Sequence, residues 1–411
     1  MTSRAQAQAF DRIPNGAEPE PNWFSEAGCS LDAFVAELGR GEREHGRPAR
    51  AGELLRQVPI YDCRDLRGVW RDREALMAWQ AEWAEVLLHG AGVLVLAHAY
   101  EDTAPIDAAT EVFEAIIRAE RGQGGGGADH FARAGANDRI WNAQEKLCRQ
   151  APEVFAAYFA NPALRAVAEA WLGPAYQMTS QVNVVRPGGA AQQAHRDYHL
   201  GFQSADQAAR YPAHVHRMSA LLTLQGAVAH GAMPVESGPT KLLPYSQRYA
   251  PGYVAWRRAD FRAYFEAHCV QLPLRKGDAL FFNPALLHAA GENRTADVQR
   301  MANLLQVSSA YGRAMETLDR RAMCERLYPV LRAWRASGRL DEAQAEAQAE
   351  AVIASSAEGY PFPTRLDRDP PLGGLAPASQ QQLLRQALAE DWTEQALSAA
   401  LAEHAWRREA S

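Results

Sequence analysis

The sequence predicts an α+β protein in which an antiparallel sandwich or barrel of short strands lies between helical ends. Three textures carry this expectation. The front of the chain repeats apolar residues at helical spacing, residues 176 to 312 alternate short Val/Leu/Thr/Phe-rich runs with Gly/Pro turns, and helical spacing returns after 313. Many short strands separated by turns favour antiparallel pairing over a parallel sheet.

Taken in order, residues 1 to about 25 are polar, rich in Pro and Gly, and read as irregular. "SLDAFVAELGRG" and "DREALMAWQAEWAEVLLHG" follow as amphipathic helices behind Ser or Asp caps. "AGVLVLAHAY" (91–100) is a short apolar run and reads as a buried strand; "PIDAATEVFEAIIRAERG" reads as a helix stopped by glycine. "GQGGGG" (122–127) formally fits a dinucleotide-binding fingerprint, but that motif must follow a strand and open a helix. Here it follows a helix and lacks the Lys-Ser/Thr of a phosphate loop, so it reads as a mobile loop or lid.

"YQMTSQVNVVRPGG", "RMSALLTLQGAVA", "TKLLPYSQ", "CVQLPL", "DALFFNPALLHAAG" and "MANLLQVSSA" read as strands, with "RKGD" as a tight turn. "TLDRRAMCERLYPVLRAWRASG" and "LDEAQAEAQAEAVIASSA" read as helices. A Pro/Gly-rich connection (359–378) then leads to a last helical pair. No repeat of 20 to 50 residues stands out.

A formal charge of −6 over 411 residues supplies no global positive field, which argues against nucleic acid or an anionic membrane surface as partner. Five scattered cysteines without a CxxC pair fit neither a disulfide framework nor a zinc finger. With no secretory h-region and no apolar run of membrane-spanning length, a soluble, cytoplasmic protein acting on a small molecule is expected.

The chemistry concentrates in "QQAHRDYHLGF" (192–202). In extended chain, His195 and Asp197 point the same way and Arg196 the other, so an imidazole and a carboxylate can meet one ion. A third ligand is expected from a strand that folds back beside the first, and "FFNPALLHAAGENR" offers His288. Two His and one carboxylate leave the opposite side of a metal open to cosubstrate and dioxygen. The plainer alternative makes His195 and Asp197 surface residues near a turn, and His288 a hydrogen-bonded core histidine.

Arg300 opens the next predicted strand, and a guanidinium entering an apolar interior needs an anionic partner such as a dicarboxylate. Arg294 is its rival, but it sits in the polar turn "ENRT".

The order of HxD, "VESGPTKLLPYSQ", "HAAGENR" and the strand-opening arginine resembles the phytanoyl-CoA dioxygenase family of Fe(II)/2-oxoglutarate-dependent oxygenases, over roughly residues 85 to 310. The resemblance implies a double-stranded β-helix (jelly-roll, cupin-like) core at 85–312. A helical extension would precede it at 1–84, and another would pack on it at 313–411. It makes His195, Asp197 and His288 the iron ligands and Arg300 the clamp on the far carboxylate of 2-oxoglutarate, with Gln181 and Asn183 touching that cosubstrate. It further implies consumption of O2, release of succinate and CO2, and hydroxylation of an unactivated carbon in a small metabolite, acyl or amino-acid-like substrate. Related halogenases replace the carboxylate ligand by a small residue, so Asp197 favours hydroxylation.

One departure from the family pattern, a His288-to-Arg300 spacing one residue longer than usual, keeps Arg294 in view. His199 shares the alternation parity of His195 and Asp197 and is expected to face substrate or to pack. His214 and His216 form an HxH pair without the glutamate a cupin metal site would need, so a structural or substrate-lining place is expected. The polar stretch 122–139, with Asp129, His130, Arg133, Asn137 and Arg139, either contacts a substrate head group or is a solvated loop. Two other classes remain: a zinc-dependent hydrolase or isomerase, and a non-catalytic metabolite-binding protein.

Overall fold

The computed structural model describes residues 21–122, 137–338 and 343–409. Ten strands are present among them: β1 (Glu53–Leu55), β2 (Val58–Asp62), β3 (Val93–Ala97), β4 (Asn137–Ile140), β5 (Gln177–Val185), β6 (Thr223–Ala229), β7 (Lys241–Leu242), β8 (Ala279–Phe282), β9 (His288–Ala289) and β10 (Arg300–Ser308). Eight form one sheet in the order β1-β2-β3-β8-β6-β10-β5-β4, antiparallel except where β2 meets β3. β7 and β9 form a second, short sheet, which isolated bridges extend through His195 on one side and Val270 on the other.

Strand periodicity divides the large sheet into two faces with different tasks. On β10, Met301, Leu305 and Val307 join Val182, Val184, Leu224, Val228 and Phe281 in a core shared with the helices. Arg300, Ala302, Leu304 and Gln306 point the other way, into a cavity. The register carries this parity across the sheet: Ala302 lies opposite Asn183 and Ala229, and Leu304 opposite Gln181 and Ala227. All of these line the same cavity.

Helices cover the outer face. Trp83 and Leu87 of the helix Arg73–Leu88 and Phe113 of Ala104–Gly122 are fully buried there, as are Leu327 and Leu331 of Arg320–Ala336. The C-terminal helices pack on Ala143–Gln150, Pro152–Phe159 and Pro162–Leu172. At the other end of the cavity, Leu280 and Phe282 share a second core with Leu242, Leu286 and Ala289 of the short sheet, and with Phe34 of the first helix, Leu31–Glu44.

Several expectations need correction. Residues 217–221 belong to a helix, Ala213–Leu221, because Ala213, His216 and Ala220 are buried at helical spacing; β6 begins only at Thr223. "TKLLPYSQ" keeps two strand residues, and "CVQLPL" makes only single bridges, Val270 to Leu242 and Leu274 to Met233. The segment 1–84 is more than a helical extension, since it supplies β1 and β2 to the main sheet. Among the described residues the two sheets do not join into a closed barrel, the second being too short to match the first. Most of the Gly-rich loop, with Asp129, His130 and Arg133, lies outside the described residues.

Candidate metal and cosubstrate site

His195 and His288 sit on neighbouring extended segments locked by a reciprocal pair of backbone hydrogen bonds, His195 N to His288 O at 3.0 Å and His288 N to His195 O at 3.2 Å. Each imidazole then repeats one local arrangement. Nδ1 of His195 donates to the Gln193 carbonyl and Nδ1 of His288 to the Leu286 carbonyl, both at 2.8 Å. A carbonyl oxygen only accepts, so the proton resides on Nδ1 and the Nε2 lone pair is left facing inward.

The two Nε2 atoms converge on Asp197, at 3.7 Å from His195 to Oδ1 and 3.5 Å from His288 to Oδ2. All three ligand atoms lie within 4.8 Å of one another. Convergent lone pairs repel, and a cation between them turns that repulsion into coordination. The donor set fits a metal ion of the two-histidine, one-carboxylate type.

Burial works against the Asp197 carboxylate, yet its contacts with His288, His195 and the Gln225 amide outweigh that and hold its pKa well below the usual range. Burial, aided by the neighbouring His288, pushes the His195 pKa down against the pull of Asp197, which keeps the ring neutral and able to ligate. Gln225, on the cavity face of β6, donates Nε2 to Asp197 Oδ2 and fixes how the carboxylate is turned.

Arg196 points away from the triad, as the alternation requires, and is fully buried. Its guanidinium donates to the Ser246 and Tyr249 carbonyls, tying the ligand segment to the loop beneath it. The alternation stops there. Tyr198 (φ 63) and His199 (φ 27) are left-handed and turn the chain, so His199 is exposed, contacts Ser219 Oγ at 3.3 Å and does not line the cavity. His214 is exposed on its helix, and buried His216 contacts the Ala208 carbonyl at 2.9 Å. Neither lines the cavity.

The cavity encloses about 890 Å³ between the sheets, with the triad on its wall. Arg300 enters it from the start of β10, only 7% exposed, with no hydrogen-bond or ion-pair acceptor among the described residues. Burial alone pushes its pKa down to about 10. Arg294 is exposed and outside the cavity, where its backbone N–H meets the Glu236 carbonyl. Asn183 is buried on the cavity wall with its Oδ1 unpartnered among the described residues, whereas Gln181 Oε1 accepts from Arg139 Nη1 at 3.0 Å. Arg139 and Asn137 are thus buried strand residues, not members of a solvated loop.

Sequence reasoning missed Gln225, and it missed Trp141, Phe202, Trp256, Arg257, Met315 and Glu316, all of which line the cavity. Glu316 accepts the Asn142 N–H at 2.7 Å, and burial pushes its pKa up. None of these sits at a readable spacing from the HxD. Only the period-2 face of β6 held a signal, for Gln225.

Fold and site together define a two-sheet α+β protein with a two-histidine, one-carboxylate cluster that could hold a metal ion. Residues 73–302, more than half of the chain, match the family model described as phytanoyl-CoA dioxygenase, and the protein belongs to that family. Among solved structures it is similar to the non-haem α-ketoglutarate-dependent carbocyclase SnoK from nogalamycin biosynthesis (19% identity, 58% of this chain and 84% of that one, TM-score 0.40). It is also similar to the corresponding epimerase SnoN (18%, 58% and 84%, 0.38). A third similar structure is HygX from Streptomyces hygroscopicus with nickel and 2-oxoglutarate bound (14%, 60% and 91%, 0.38). No curated protein matches the chain in sequence. Among the described residues no helix is long and apolar enough to cross a membrane.

Proposed function

We propose that the protein is an Fe(II)- and 2-oxoglutarate-dependent dioxygenase that hydroxylates an unactivated carbon of a small molecule, with succinate and CO2 as coproducts. The two sheets are read as a reduced double-stranded β-helix. The observation that carries the proposal is Arg300, a buried guanidinium without a protein acceptor among the described residues, in the same cavity as the triad. One carboxylate against a divalent ion leaves a single positive charge, and Arg300 adds another. A dicarboxylate cosubstrate balances both.

In this reading His195, Asp197 and His288 hold iron, which when bound supplies dioxygen activation coupled to oxidative decarboxylation of 2-oxoglutarate. The protein supplies position and dryness. Arg300 pins the far carboxylate, Asn183 offers its side-chain amide to the cosubstrate, and Gln225 keeps Asp197 turned toward the metal. Leu280, Phe282 and Leu304 line the cavity with apolar surface and limit water. A zinc hydrolase would leave Arg300 without a task. All five cysteines are unpaired, which supports a reducing compartment such as the cytoplasm.

The test is succinate formation by protein prepared without oxygen and given Fe(II), 2-oxoglutarate and then air. Ala variants of His195, Asp197 and His288 should lose metal and succinate formation while keeping the parent's circular dichroism. If all three bind iron and turn over like the parent, the assignment is wrong.

A further inference from the structure

The cavity wall that follows the ligand segment presents an arginine used by neither the metal nor the cosubstrate. Arg257 lies over the Trp256 ring, 3.9 Å from its centroid, and donates Nη2 to the Gly201 carbonyl at 3.3 Å. Its Nη1 is buried without an acceptor, and it makes no ion pair among the described residues. Burial pushes its pKa down, and the carboxylate of Glu26 opposes this only through space. A guanidinium over an indole face is weakly hydrated and held in place, and here one of its two terminal nitrogens, Nη1, is left to meet an oxyanion.

The other cavity arginines are engaged. Arg139 donates to Gln181, Arg196 holds two backbone carbonyls, and Arg300 is assigned to 2-oxoglutarate. We propose, resting on the oxygenase reading above, that Arg257 binds a carboxylate of the substrate, which is therefore an organic monocarboxylate whose apolar body lies along Trp256 and Phe202. A carboxylate is favoured over a phosphate because one guanidinium matches a single negative charge, and among the described residues no lysine lines the cavity to neutralise a second.

The experiment uses full-length protein loaded with Ni(II), which supports binding without turnover. A first titration with 2-oxoglutarate tests the underlying reading: failure to bind would remove that reading. Protein saturated with 2-oxoglutarate, so that Arg300 is occupied, is then titrated calorimetrically with 3-phenylpropionate, 4-phenylbutyrate and hexanoate. Their carboxamides and 2-phenylethyl phosphate follow. At least one acid should bind about tenfold or more tightly than its amide, a difference of about 1.4 kcal/mol. Arg257→Gln should erase that preference. The proposal is overturned if no acid outbinds its amide, if the phosphate outbinds every acid, or if the preference survives in R257Q. Loss of 2-oxoglutarate binding in R257Q overturns it too, since Arg257 would then serve the cosubstrate.

Discussion

Replacing Arg300 by methionine separates two effects of opposite sign. In the ligand-free protein the guanidinium is a buried cation with no acceptor among the described residues, and burial takes its pKa from 12.5 to about 10. At about 1.4 kcal/mol per pH unit this is on the order of 3 kcal/mol of uncompensated desolvation. Methionine has similar length and no charge, so ligand-free R300M should melt several degrees above the parent. With metal and 2-oxoglutarate present the order reverses, because one partner of a buried charge pair is then missing. Such losses run to about 3–5 kcal/mol, or an affinity fall of roughly a hundredfold to a few thousandfold. Thermal melting of Ni(II)-loaded protein with and without 2-oxoglutarate, backed by calorimetric titration, reads both effects. Arg294→Ala should be silent in each, as befits an exposed residue outside the cavity. The reasoning is refuted if R300M melts lower without ligand and keeps the parent's 2-oxoglutarate affinity, or if R294A carries the loss instead.

Gly252→Ala should weaken metal binding about tenfold or more, because an added Cβ would stand 1.9 Å from Cζ of Arg196, whose guanidinium ties down the segment between the ligands. Unchanged affinity in a metal titration would show that this tie is dispensable. His230 is buried between Thr110 Oγ1 at 2.8 Å and Tyr158 Oη at 2.9 Å, and burial chiefly pushes its pKa down to about 3. It stays neutral in the fold while the unfolded chain takes up a proton below about 6.5. Its contribution to stability is therefore fully present above about pH 6.5 and lost toward pH 3, at up to about 1.4 kcal/mol per pH unit. Urea midpoints between pH 7 and 5 should fall less steeply for His230→Gln than for the parent, and parallel slopes would contradict this account.

The elements legible in the sequence are those whose burial repeats within a few residues. β5, β8 and β10 are long or strongly apolar, and the helices Ala104–Gly122 and Arg320–Ala336 show a clear 3.6-residue spacing. β1 and β2 escaped because Glu53–Leu55 is mostly exposed and Val58–Asp62 carries Pro59 and shows no period-2 burial. His195, Asp197 and His288 could be grouped from local alternation plus a returning strand, and the structure brings them together. His199 misled for a local reason: parity holds only while the backbone stays extended, and Tyr198 already has positive φ. Glu316 and Arg257 had no such handle. Each reaches the cavity from a loop whose path depends on elements distant in sequence, Glu316 from beyond β10 and Arg257 from between two short helices.

The reciprocal backbone pairing of His195 with His288 means that the ligands are assembled by the fold and not by the ion they receive. A pocket prepared in advance takes whichever divalent ion reaches it, ranked by the Irving–Williams order, in which nickel and copper stand above ferrous iron. On the oxygenase reading proposed above, iron occupancy is therefore a matter of supply, and protein recovered with nickel or zinc would be correctly folded but would form no succinate.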